Sequence, residues 1–97
     1  LISKVNTMDE KDLPKLREEI ENLDIELFSL IFKRVGLAKK IGKVKSENNI
    51  EITNLNREKT LINLITDLSS NCLERDQIES IYKILFKISK EKQKDII

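Results

Sequence analysis

The sequence contains no histidine and no tryptophan, and has one cysteine (Cys72), one proline (Pro14) and two glycines among its 97 residues. Without histidine, and with a single thiol, the usual imidazole base and most thiol or zinc chemistry drop out, and no metal site is expected. A lone cysteine excludes an internal disulfide framework and fits a reducing compartment, so a cytoplasmic location is expected. Scarce glycine and proline argue against a chain of strands and tight turns. The four aromatics, Phe28, Phe32, Tyr82 and Phe86, offer no interleaved stacking platform for a nucleic acid. Net charge is +1, from 18 Lys and Arg against 17 Asp and Glu, and supplies no general attraction to nucleic acid or to a membrane surface. No apolar run is long enough to span a bilayer. The stretch Leu1–Val5 is short and Asp9 and Glu10 follow soon after, so no signal peptide is expected. The start at Leu1 rather than Met leaves open a processed product, an expression fragment or one module of a longer polypeptide.

What is abundant is Leu, Ile, Lys and Glu, a mixture that favours long helices. The length allows one domain, residues 1–97, with 1–11 as a flexible lead-in. Asp12 is placed to cap a helix with Pro14 in its first turn, and Thr7 with Glu10 is an alternative capping box. From there Leu16, Ile20, Leu23, Leu27, Leu30, Arg34, Leu37, Ile41 and Val44 recur at alternating spacings of four and three. That is a coiled-coil seam sustained for about four heptads, and it calls for another long helix to pack against. The polar cluster Ser46–Asn49 ends it. Asn54 is placed to cap a shorter second helix, with Leu55, Leu61, Ile62, Ile65 and Leu68 on its apolar face and Glu58 among them. Ser69, Ser70 and Asn71 mark a break, and a third helix starts near Glu74 with Ile78, Ile81, Tyr82, Leu85, Phe86 and Ile88 as its stripe. The expected fold is all-α: three helices, long, short and medium.

The polar residues that interrupt these stripes point to chemistry. Arg34 sits inside the seam, where an unpaired guanidinium is costly, so it needs an anion. Taken alone it reads as a register-setting residue paired with Glu58 or another carboxylate. Lys45, eleven residues on, returns to almost the same face about 16 Å along the axis. Taken alone it reads as a solvated lysine beside the seam, yet Arg34 and Lys45 together leave room for one small ligand. Between Leu27 and Ser46 there are cations at Lys33, Arg34, Lys39, Lys40, Lys43 and Lys45 and no anion. Ser89 and Gln93 lie one turn apart on the third helix, either facing the same pocket or entering solvent near the chain end. Two cations, a carboxylate, a hydroxyl and an amide together suit a small dicarboxylate bearing a hydroxyl.

From about Leu13 to Gln93 the sequence resembles the all-helical, type II chorismate mutases. The resemblance rests on LPKLREEIENLD at 13–24, KRVGLAKKIGKVK at 33–45, NREK at 56–59 and the ending Ser89-Lys-Glu-Lys-Gln93. It implies that Arg17 and Arg34 hold the substrate's two carboxylates, that Lys45 and Gln93 flank its ether oxygen, and that Glu58 receives its hydroxyl. Arg57 and Ser89 match supporting polar residues. Asn54 stands where many members have Asp, although Asn also caps a helix and hydrogen-bonds a hydroxyl. The resemblance also implies an intertwined homodimer. Arg17 and Arg34 lie about 25 Å apart along one helix, so one small substrate meets both only if Arg17 comes from the partner.

The implied reaction, chorismate to prephenate, is an intramolecular rearrangement that needs no cofactor, metal or nucleophile. It fits a chain without histidine. Two other readings remain at this stage: an isochorismate–pyruvate lyase on the same scaffold, and a non-catalytic helical regulatory or interaction domain.

Overall fold

The computed structural model describes residues 8–95. Most of the expected lead-in, residues 1–7, and the alternative capping residue Thr7 lie outside the described residues. A 3₁₀ turn, Glu10–Asp12, runs into α1 (Leu13–Glu47), followed by α2 (Leu55–Leu68) and α3 (Arg75–Lys94). The fold is all-α, and no strand occurs among the described residues.

The ends of the helices follow from local chemistry. Asp12 does not cap α1 with its side chain as expected. Its carboxylate turns back and accepts from the Asp9 N–H at 2.9 Å, while Asp9 Oδ1 accepts from the Lys11 N–H at 2.8 Å. The acidic pair satisfies the free donors of the 3₁₀ turn instead. Pro14 falls in the first turn of α1, where a missing N–H costs nothing. At the other end Asn49 takes a left-handed φ of 54°, and the Ile50 N–H closes on the Lys45 carbonyl at 2.8 Å. Asn54 caps α2, its Oδ1 accepting from the Arg57 N–H at 3.0 Å. Ser70 and Asn71, with φ of 48° and 67°, make the break before α3.

The chain divides between Phe32 and Lys33 into two units. Among residues 8–32 none is buried, and the seam residues Ile20, Leu23, Leu27 and Leu30 are all more than half exposed. A second apolar flank, Ile25, Phe28 and Phe32, is exposed too, with the two phenyl centroids 6.3 Å apart. The second unit has a core. α2 packs on α3, Ile78 is 2% exposed, and Ala38 and Gly42 of α1 are buried. Gly42 is there for space: a Cβ on it would stand 2.6 Å from Gln93 Cα and 2.7 Å from the Gln93 carbonyl oxygen. The α3 backbone therefore lies directly against α1 at this point, which only glycine permits.

Candidate active site

The second unit carries a half-open cavity of about 460 Å³ walled by all three helices and the α1–α2 loop. Its apolar walls include Leu37, Ala38 and Ile41 of α1, Leu61 of α2, and the stacked rings of Tyr82 and Phe86 on α3, 4.8 Å apart. Into this space come Arg34, Lys45, Asn54, Arg57, Glu58, Ser89, Lys90 and Gln93.

Arg34 is half-buried, and Nη1 donates to the Leu85 carbonyl at 3.3 Å and to Ser89 Oγ. Among the described residues Arg34 makes no ion pair with Glu58 or with another carboxylate, the reading it invites when taken alone. The guanidinium turns to α3, and Glu58 takes Lys90 instead, Nζ to Oε2 at 2.9 Å. An arginine has five N–H donors in a planar fork, so this anchorage fixes the group and leaves donors for a ligand carboxylate. Lys45 is not a solvated lysine either: it is half-buried, and Nζ donates to the Ile52 carbonyl at 2.6 Å. One of its three protons ties the loop to α1, and two remain for a ligand. Asn54 spends Oδ1 on its cap, which leaves the amide nitrogen to the cavity it lines.

Gln93 is 7% exposed, which removes the reading of α3 as a helix emerging into solvent there. Its Oε1 is buried without a hydrogen-bond partner. An unpaired buried amide oxygen is costly, and Gln93 lines the cavity with Nε2 and Oε1 exchangeable by a turn of the amide. Four cations, Arg34, Lys45, Arg57 and Lys90, face one carboxylate, Glu58, so the cavity suits an anion of more than one charge.

Seven of the eight residues expected from the resemblance line this one cavity: Arg34, Lys45, Asn54, Arg57, Glu58, Ser89 and Gln93. Arg17 is exposed on α1 in the first unit and does not line it.

A family model for chorismate mutase type II matches residues 16–94. The chain belongs to this family. It is 30% identical over 89 residues to the chorismate mutase of Methanocaldococcus jannaschii, which covers 88% of this chain and 87% of that protein. It is also 32% identical over 87 residues to the bifunctional chorismate mutase/prephenate dehydratase of Buchnera aphidicola subsp. Schizaphis graminum, covering 89% of this chain and 23% of that one. A protein of the same description from Aquifex aeolicus is 37% identical over 59 residues, 61% of this chain and 16% of its own length. The chain thus spans about a quarter or less of the bifunctional relatives it matches.

Two residues escaped the sequence reading of this family member. Lys90 was one cation among eighteen, and nothing in its spacing singled it out. Gly42 is not distinguished by sequence either: Gly36 lies in the same helix with open space where a Cβ would stand, so a helical glycine does not by itself mark a close backbone approach.

Proposed function

We propose that this domain rearranges chorismate to prephenate, and that the reaction takes place in the cavity of the second unit. The observation that carries this reading is the gathering of Arg34, Lys45, Glu58, Ser89 and Gln93 around one cation-rich, apolar-walled space. The rearrangement breaks one C–O bond as it forms one C–C bond within a single molecule. A protein accelerates it by holding the flexible substrate in a compact chair and by stabilising negative charge that grows on the ether oxygen.

In this reading Arg34, steadied by the Leu85 carbonyl and Ser89, grips one substrate carboxylate with its remaining donors. Lys45 meets the ether oxygen from one side, and the Gln93 amide donates to it from the other. Glu58 accepts the substrate hydroxyl, and Asn54 and Arg57 support the rim. The second carboxylate falls to Arg17 of a second copy. The seam favours such a homodimer: Leu23 and Leu30 are each 61% exposed in the single chain, and fully burying one such side chain is worth about 2 kcal/mol.

The test is direct. The chain is incubated with chorismate and, separately, with isochorismate, and the products are identified. Prephenate from chorismate supports the reading; pyruvate released from isochorismate alone transfers it to a lyase. A folded dimer that binds chorismate without turnover makes the domain a regulatory module. Shared sites are tested by co-refolding Arg17→Ala with Arg34→Ala. Mixed dimers carry one intact site and recover activity, and their inactivity would remove Arg17 from the partner's site.

A further inference from the structure

Glu58 stands in a wall between two hollows. One is the reaction cavity. The other is a groove of about 450 Å³ lined by Lys83, Lys87, Glu91 and Lys94 of α3, and Glu58, Phe86 and Lys90 line both. The four lysines at 83, 87, 90 and 94 follow spacings of four, three and four, which sets them along one face of α3. A carboxylate beside such a row has several cations within reach. The structure commits it to one. Lys90 Nζ lies 2.9 Å from Glu58 Oε2, with side chains 32% and 21% exposed, and no other hydrogen bond or ion pair reaches the Glu58 carboxylate among the described residues. This pair is better shielded than the surface pair Arg75–Glu79, whose side chains are 50% and 51% exposed. Exposed pairs constrain their partners little, and shielded ones more.

We propose that Lys90 is a positioning residue for the reaction: it holds Glu58 by Oε2 so that Oε1 meets the substrate hydroxyl. The inference rests on the mutase reading above. A carboxylate has two oxygens with about four acceptor sites, so the ion pair fixes its plane without using up its capacity. Without Lys90 the carboxylate is drawn toward Lys83 and Lys87, out of the reaction cavity. Arginine at this position keeps the ion pair. Methionine keeps the length of the side chain and not the ion pair.

The experiment compares the parent chain, Lys90→Met, Lys90→Arg, Glu58→Gln and the double variant Lys90→Met/Glu58→Gln. Helix content and oligomeric size are checked for each. Two substrates are used, chorismate and an analogue lacking the hydroxyl, with Kd measured for the analogue where it does not turn over. Lys90→Met lowers kcat/KM for chorismate by about tenfold, and Lys90→Arg restores most of it. In the Glu58→Gln background Lys90→Met costs nothing further, and for the hydroxyl-free analogue it matches the parent. An equal loss with the analogue, or in the Glu58→Gln background, overturns the proposal, because Lys90 then touches substrate itself or merely braces α3. Lys90→Met with parental activity overturns it as well, leaving the mutase reading intact. A parent chain that makes no prephenate removes that reading, and the role of Lys90 with it.

Discussion

One heptad seam runs the length of α1, and its two halves fare differently. In residues 13–32 the helix offers Leu, Ile and Phe on two flanks and contains no alanine or glycine, and nothing there is buried. In residues 33–47 the same helix turns Ala38 and Gly42 inward, and α3 closes onto it at Gln93. Side-chain size separates the two. Small residues let a helix of the same chain approach to backbone contact, whereas a row of large ones needs a partner long enough to interdigitate with it. The second half builds a site, and the first presents an interface surface to a second copy in the reading proposed above.

The largest expected effect breaks the first half. Leu27→Asp places a charge at the centre of the seam, where burial against a partner would cost several kcal/mol. If the proposed dimer forms along this seam, the variant is monomeric, helix content falls and activity is lost, as sedimentation, circular dichroism and the prephenate assay each report. A variant of unchanged size and activity would show that the seam is no interface.

The next effect belongs to the second half alone. In the proposed reaction Lys45→Ala removes a donor to the ether oxygen, a change that commonly costs about 3 kcal/mol, or about a hundredfold in kcat. KM moves much less, since the charge on that oxygen is largest in the transition state. Lys45 also tethers the Ile52 carbonyl, so the melting temperature is measured beside the rate. A large fall in stability with kcat intact would reduce Lys45 to a loop anchor.

The contrast between halves also bounds what the sequence discloses. Helix periods and the polar breaks at Arg34, Lys45, Glu58 and Gln93 are one-dimensional patterns, and each was legible along the chain. Which cation pairs with which anion is set by side-chain reach across helices. For that reason the sequence leaves open whether Arg34 meets Glu58, another carboxylate or a ligand, while in the structure it donates to Ser89 and Glu58 pairs with Lys90. The cap of the first helix misled for a related reason: Asp9 and Asp12 both suit the role, and the reciprocal bonds between them decide it.

Gly42→Ala sharpens the comparison by making the second half more like the first. The added methyl meets backbone at 2.6 Å, which cannot swing aside as a side chain could. Overpacking of this kind costs about 1–3 kcal/mol and the better helix propensity of alanine returns about 1 kcal/mol; a clash with rigid backbone puts the cost at the upper end, so thermal unfolding still shifts down by a few degrees. Because the clash falls on Gln93, kcat falls together with stability. Stability lost with kcat retained would separate Gln93 from the reaction.

The smallest effect is expected at Asn54, where many family members carry Asp. Asn54→Asp keeps the acceptor that caps α2 through the Arg57 N–H, and adds a negative charge at a helix N-terminus. That charge is worth about 0.5 kcal/mol there, and repulsion from Glu58, four residues on, returns part of it. Net stability therefore rises by a few tenths of a kcal/mol at most, which denaturant titration resolves only as a shift in midpoint. The effect on substrate has two parts. The residue lines the cavity with its amide nitrogen not used by the cap, and Asp replaces that donor with a second acceptor. The hydroxyl has one proton, which Glu58 accepts in the reading above, so an amide nitrogen at 54 meets the hydroxyl only by donating to its lone pairs, and the carboxylate of Asp cannot. The added charge also repels a dianion, although four cations at the cavity, Arg34, Lys45, Arg57 and Lys90, offset much of it. KM is expected to rise about two- to threefold with kcat unchanged, since a bond to the hydroxyl forms before the transition state and persists through it. A fall in KM at unchanged stability would mean that the residue at 54 accepts the hydroxyl proton in place of Glu58.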